Sequence, residues 1–187
     1  MSPREQLPLL TAAEVEAELL RSPYHRWLGL RVVDVTRSSV VIEVEAREEF
    51  IADVDAGYVH GGILATLLDL AADWALVGAL GTGVPTIDLS VNYLRAAQPG
   101  LLRVTGRAIR PGRQVSHAEA EVHDADGRLL AVGRGSFLSA VAEQGRAAAD
   151  ARRAAAHQQA DQQEAGRSGT TSEPTGPDTS HQEHTPA

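Results

Sequence analysis

Residues 57–80 read GYVHGGILATLLDLAADWALVGAL, and this stretch decides the fold. From Gly61 onward it is apolar and almost long enough to cross a bilayer. Asp69 and Asp73 lie inside it, however, and each carboxylate would cost roughly 2.5–3.5 kcal/mol at the middle of a membrane. We therefore interpret residues 61–80 as a helix buried in the core of a globular domain. Gly81 and Gly83 follow directly and predict its end.

The sequence on both sides of this helix alternates between apolar and polar residues, which is the period of a β-strand. Two strands are predicted before the helix, near residues 30–35 and 40–45, and four after it, at residues 84–95, 101–110, 114–123 and 128–140. Such alternation is typical of antiparallel sheets with one wet face. We predict an α+β domain in which an antiparallel sheet wraps around one long central helix.

The two ends of the chain have a different character. Thr11 and Glu14 have the spacing of a capping box, which predicts a short N-terminal helix that ends near Ser22-Pro23. Residues 147–156 favour a helix without an apolar stripe, and from Gln158 the composition predicts disorder. We expect an N-terminal helical segment at 1–22, a central domain at 23–141 and a low-complexity, disordered tail at 142–187.

The composition excludes several classes of function. A net charge of −8 argues against nucleic acid as the main partner. Cysteine is absent, which excludes disulfides, thiolate nucleophiles and thiolate metal sites. The tail histidines His181 and His184 have no fixed scaffold, so we predict no metal site. The N-terminus lacks the pattern of a secretory signal, and we expect a cytoplasmic protein with no membrane partner.

The start of the central helix is the candidate site. Gly61 and Gly62 let a ligand approach the backbone closely, and the free N–H groups and positive dipole end of a helix suit a developing oxyanion. A carboxylate two turns further on can act as a general base on water or as a nucleophile. Asp69 and Asp73 are four residues apart on one helical face, so this reasoning alone leaves both open.

Residues 57–69 closely resemble the signature of PaaI-like hotdog-fold thioesterases. In those proteins a loop glycine is followed by Val-His-Gly-Gly at the start of the central helix, and by an acid nine residues after the histidine. Residues 86–96, TIDLSVNYLRA, resemble the third strand of the family, and residues 110–113 and 127–131 also fit. The resemblance covers about residues 20 to 140.

This resemblance implies an acyl-CoA thioesterase, which hydrolyses an acyl-CoA to a carboxylic acid and CoA. It selects Asp69 as the catalytic acid, assigns Gly61 and Gly62 to the oxyanion, and places His60 in the site with a less clear role. It requires no metal or redox cofactor. It also implies a homodimer, often paired into a homotetramer, in which Asp69 faces the Gly61 turn of the partner.

Further positions are candidates for positioning or binding the substrate. In relatives the residue that matches Thr86 orients the attacking water, although a plain strand threonine is equally compatible with the sequence. Arg110 and Arg113 could bind CoA phosphates through charge-assisted hydrogen bonds, or lie in a solvated turn. Relatives often have Asn where this chain has Val54, and the neighbouring Asp53 or Asp55 could substitute if the loop shifts by one residue.

Two other functions are compatible with the same pattern. A hotdog enoyl-CoA hydratase or dehydratase pairs a histidine with an acid across the site, and His60 and Asp69 are candidates for that pair. A non-catalytic acyl-CoA-binding module would bind the thioester without releasing a thiol.

Overall fold

The structure is a computed structural model, and it describes residues 7–168 of the chain. Its helices are α1 (Ala12–Leu19), α2 (Pro23–Leu28), α3 (Gly61–Trp74), α4 (Val77–Leu80) and α5 (Ala142–Ser168). Its strands are β1 (Arg31–Val35), β2 (Ser39–Ala46), β3 (Thr86–Tyr93), β4 (Gly100–Arg110), β5 (Val115–His123) and β6 (Leu129–Leu138).

The six strands form one antiparallel sheet in the order β1-β2-β4-β5-β6-β3. Helix α3 packs against five of them, β2 to β6, with the buried side chains Leu64, Leu67, Leu68, Ala71 and Ala72. The predicted α+β architecture, an antiparallel sheet around a long central helix, is confirmed.

Close contact between α3 and the sheet depends on Gly106 in β4. A Cβ atom at this position would lie 1.8 Å from the carbonyl oxygen of Ala71, so no larger residue fits without moving the helix away. Residues 61–80 have the length of a membrane span and contain an apolar stretch with a mean hydropathy of 1.8. However, 67% of that stretch is buried inside the protein. This burial agrees with the interpretation of the segment as a core helix.

The chain around the core helix departs from the sequence prediction in two places. Ser22-Pro23 does not only end α1. It begins α2, because the Ser22 hydroxyl accepts a hydrogen bond from the His25 N–H, Pro23 occupies the first turn, and Gly29 closes the helix at φ +74°. The long helix is also interrupted, since α3 ends at Trp74 and α4 begins at Val77.

A predicted helix is present near each end of the chain, and the C-terminal helix is longer than predicted. Thr11 and Glu14 form the capping box of α1, with Thr11 N–H donating to Glu14 at 2.8 Å. Helix α5 runs from Ala142 to Ser168, well beyond the stretch 147–156 that the sequence favoured. The remainder of the predicted tail, 169–187, lies outside the described residues, and so do His181 and His184. The proposed division into three segments stays a prediction.

A buried charge lies on the wet face of the sheet. Glu43 in β2 is only 4% exposed and lies between Arg103 of β4 and Arg31 of β1. Arg103 donates two hydrogen bonds to one carboxylate oxygen, at 2.6 and 3.1 Å, and Arg31 donates to the other. The hydrogen bonds from Arg103, which have the larger effect, and from Arg31 hold the pKa of Glu43 below its ordinary value. Burial acts in the opposite direction and raises this pKa.

Candidate functional site

His60 caps the N-terminus of α3. Its Nδ1 atom accepts a hydrogen bond of 2.8 Å from the Gly62 N–H, and its carbonyl accepts one of 2.9 Å from the Ile63 N–H. An accepting Nδ1 places the ring proton of the neutral imidazole on Nε2. His60 therefore satisfies two of the N–H groups that a helix start leaves free.

Gly61 differs from Gly62 in this respect. Its N–H has no acceptor within the part of the chain that the structure describes. Of the two glycines that the sequence proposes as donors, only Gly61 thus keeps an N–H available for a ligand, at the positive end of the helix dipole. The carbonyl of Gly61 is held on the other side by the Tyr93 hydroxyl, which donates to it at 3.1 Å.

A mostly apolar cleft of about 360 Å³ lies beside Gly61. Tyr58 and Tyr93 line it together with Leu64 and Leu94. Tyr93 and Leu94 are 54% and 49% exposed. Neither tyrosine is among the site residues predicted from the sequence, although Tyr58 lies two residues before His60 and Tyr93 lies within the third-strand match.

Asp69 lies on α3, eight residues after Gly61, and is partly buried. The Thr86 hydroxyl, at the start of β3, donates a hydrogen bond of 2.8 Å to Asp69 Oδ1. Asp69 Oδ2 has no hydrogen-bond partner among residues 7–168. The structure therefore brings two of the predicted site residues together and leaves one carboxylate oxygen available.

Asp73 lies one turn after Asp69 and contacts the segment that leads into β3. Its Oδ1 atom accepts a hydrogen bond of 2.6 Å from the N–H of Val84, two residues before Thr86. Loss of hydration raises the pKa of Asp73 to about 7; the nearby charge of Asp69 adds to this rise, whereas the Val84 bond opposes it. The spacing of four residues indicated the shared face, but the contact with Val84 had no signal in the sequence.

The loop before the motif places Val54 in solvent, where its side chain is 89% exposed. Asp53 is engaged locally, because its Oδ1 atom accepts hydrogen bonds from the N–H groups of Asp55 and Ala56 at 2.9 and 2.8 Å. The Asp53 side chain thus stabilises its own turn.

Arg110 and Arg113 lie at the end of the sheet that is far from Gly61 in the same chain. Strand β4 is eleven residues long, about 36 Å, and its opposite end follows Ala97, whose carbonyl accepts the Val59 N–H at 2.8 Å. Both arginines are exposed. Arg113 lines a second cleft, of about 720 Å³, together with Arg146.

The two parts of the candidate site lie apart along one helix. Asp69 follows Gly61 by eight positions on α3, which corresponds to about 12 Å along the axis. A thioester carbonyl bound to the Gly61 N–H is therefore out of reach of Asp69 in the same chain. One end can stabilise an oxyanion, and the other can accept a proton from water.

Comparisons with known proteins identify the family of the chain. A family model described as the thioesterase superfamily matches residues 56–131, which include α3 and the strands β3 to β5. A Halobacterium salinarum protein to which esterase activity is ascribed is 37% identical over 122 residues, covering 59% of this chain and 80% of that protein. The 1,4-dihydroxy-2-naphthoyl-CoA hydrolase of Listeria monocytogenes is 28% identical over 112 residues, covering 57% of this chain and 87% of that protein.

Solved structures give the same result. A structure described as a thioesterase superfamily protein aligns with a TM-score of 0.66 and 41% identity, covering 68% of this chain and 96% of the solved chain. The Escherichia coli PaaI protein aligns with a TM-score of 0.60 at 18% identity, over 69% of this chain and 96% of its own, and shows the fold alone. On the match at 41% identity and the family model together, the chain belongs to the thioesterase superfamily.

Proposed function

We propose that the protein is an acyl-CoA thioesterase, which hydrolyses an acyl-CoA to a carboxylic acid and free CoA. The observation that carries the proposal is the Thr86–Asp69 hydrogen bond, which orients a carboxylate with one unbonded oxygen on the central helix. Relatives named as acyl-CoA thioesterases or acyl-CoA hydrolases support the substrate class.

In the proposed reaction Asp69 acts as a general base. It takes one proton from water, and the water oxygen attacks the thioester carbonyl carbon. The Gly61 N–H stabilises the resulting oxyanion. The C–S bond then breaks, and the CoA thiolate takes the proton from Asp69, so that the acid and the thiol leave. Thr86 donates its hydrogen to Asp69, and its oxygen can accept a hydrogen bond from the attacking water.

His60 has a supporting role in this proposal. It binds the Gly62 N–H and so fixes the first turn of α3, which directs the Gly61 N–H toward the substrate. The cleft beside Gly61 takes the apolar acyl group, because its lining of tyrosine and leucine side chains excludes water from the carbonyl. Arg110 and Arg113 are proposed to bind the CoA phosphates. We further propose a cytoplasmic location.

The complete site is proposed to form between two copies of the chain. The separation of about 12 Å between Gly61 and Asp69 supports this arrangement, in which Asp69 of one copy faces the Gly61 turn of the other. Strand β3 lies at the edge of the sheet, with Ile87 53% exposed and Tyr93 54% exposed. An unpaired edge with exposed apolar side chains is a suitable surface for a second copy, giving a homodimer or homotetramer.

The proposal is tested by thiol release from a panel of acetyl-, octanoyl-, palmitoyl- and benzoyl-CoA. We expect hydrolysis of at least one substrate, and Asp69→Asn should lower kcat by about 10²–10⁴-fold. Asp34→Asn, which changes an exposed acid on β1, is the matched control and should leave kcat unchanged. Hydrolysis by Asp69→Asn at the rate of the wild type would refute the proposed mechanism.

The same experiment separates the two alternatives. A change in enoyl-CoA absorbance without thiol release would indicate a hydratase or dehydratase. Acyl-CoA binding without turnover of any of the four substrates would indicate a binding module.

A further inference from the structure

Asp73 is a carboxylate that the proposed reaction does not use. It lies on the same face of α3 as Asp69, at the position where the chain enters β3. We propose that Asp73 is a positioning residue, which holds Val84 so that the Thr86 hydroxyl meets Asp69. This inference rests on the proposed function, because it assigns a role relative to the proposed general base.

The contacts form a chain from one acid to the other. Asp73 Oδ1 accepts the Val84 N–H at 2.6 Å, and Thr86 donates to Asp69 Oδ1 at 2.8 Å. Pro85 between them has a fixed φ and restricts Val84 to an extended conformation. The Pro85 carbonyl accepts the Leu138 N–H at 2.8 Å. Residues 84–86, which precede the regular pairing of β3 with β6, are thus held as one stiff segment.

The pairing of β3 with β6 is irregular directly after Thr86. The pairing of β3 with β6 shifts between Thr86 and Asp88, so the regular ladder begins only after Thr86. Such irregularities redirect side chains. The anchor upstream, at Val84, therefore contributes to the direction in which Thr86 points.

Asp73 is also an unfavourable residue for packing alone. A partly buried carboxylate one turn from another carboxylate loses hydration and is repelled by the second charge. An apolar residue at this position would have neither cost. Gly83 leaves the space that this carboxylate needs, since a Cβ atom there would lie 2.8 Å from Asp73 Oδ2. An acid is accommodated here at a cost, and among residues 7–168 it accepts its hydrogen bond from Val84, two residues before Thr86.

The test is a double-mutant cycle on the full chain, with kcat and KM measured for acyl-CoA hydrolysis. Asp73→Ala should lower kcat by about tenfold with KM nearly unchanged, because misplacement of a catalytic group costs rate rather than binding. Asp73→Asn keeps the acceptor for Val84 and should retain most of kcat. In a Thr86→Val background, Asp73→Ala should have almost no further effect, because the two residues act through one contact.

A second perturbation keeps the inference testable if Asp73→Ala unfolds. Gly83→Ala leaves the acid unchanged but displaces its carboxylate, and should reproduce the loss in kcat. Thermal unfolding of each variant identifies losses that arise from instability. Additive effects of Asp73→Ala and Thr86→Val, or an Asp73→Asn variant as slow as Asp73→Ala, would overturn the inference. Neither result affects the proposed function, which fails only if Asp69→Asn stays active.

Discussion

The Thr86 hydroxyl donates a hydrogen bond of 2.8 Å to Asp69 Oδ1, and this bond joins the start of β3 to the middle of α3. At the other end of the same strand, the Tyr93 hydroxyl donates to the Gly61 carbonyl at 3.1 Å. Two hydrogen bonds thus connect α3 and β3, and each of them involves one of the two residues proposed for catalysis. Catalytic geometry and the packing of α3 on the edge strand therefore depend on the same contacts.

The first prediction concerns the hydroxyl of Thr86. Thr86→Val has nearly the same shape but cannot orient Asp69, so kcat for acyl-CoA hydrolysis should fall by about tenfold or more. Thr86→Ser keeps the hydroxyl and should retain most of the activity. Steady-state kinetics of both variants provide the measurement. Equal activity of the valine and serine variants would show that the hydrogen bond has no part in catalysis.

A second prediction concerns the chemical role of Asp69. If Asp69 activates water, a single turnover in H₂¹⁸O should place the label in the carboxylic acid product and none in Asp69. Mass spectrometry of the product and of the peptide that contains Asp69 measures both. The protein incubated in H₂¹⁸O without substrate is the control. An unlabelled product, or label in Asp69, would instead indicate a covalent acyl intermediate.

A third prediction concerns His60 as a helix cap. His60→Ala removes the acceptor for the Gly62 N–H and should lower the free energy of unfolding by about 0.5–2 kcal/mol. His60→Asn supplies another good N-cap and should restore both stability and activity. Chemical denaturation and thiol release measure the two effects. A stable but inactive asparagine variant would show that the imidazole itself takes part in the reaction.

The sequence was sufficient for the sheet and the central helix because periodicity reports which face of each element is buried. The apolar run from Gly61 and the alternation along six strands leave few ways to cover the apolar surface. The start of α2 also has a signal, Ser22 followed by Pro23, but the same pair is compatible with the end of α1. No sequence signal of comparable strength marks the break between α3 and α4.

The site was less predictable because it depends on contacts between distant residues. The motif identified Asp69 and Thr86 separately, but their hydrogen bond requires the register of β3 against α3. Likewise, the sequence did not distinguish Gly61 from Gly62, since the difference is the side chain of His60 bound to one of the two N–H groups. The role of Val54 stays a prediction, and its side chain is exposed.

A fourth prediction concerns acid stability and Glu43. Its pKa is lowered in the folded protein by Arg103 and Arg31, so its stabilising contribution is present above about pH 4.5 and is lost as pH falls through the lowered folded value. Glu43→Gln should therefore lower the urea midpoint at pH 7, and the difference from the wild type should shrink toward pH 3. Glu45→Gln, an exposed acid on the same strand, is the control. A constant difference at all pH values would contradict the assignment.

The fifth prediction concerns Asp73, whose effect on stability depends on pH in the opposite direction to that of Glu43. Its pKa is raised from 3.8 to about 7 in the folded protein, so the folded state binds the proton more tightly than the unfolded chain does. The contribution of this group to stability is greatest at low pH and is lost as pH rises from about 4 to about 7. Asp73→Asn removes this dependence while keeping an acceptor for the Val84 N–H. Above pH 7 its Tm should exceed that of the wild type by a few degrees, on the order expected for a domain of this size. Thermal unfolding from pH 4 to pH 9 measures both curves, and curves that run parallel would show that the pKa of Asp73 is the same in the folded and unfolded states.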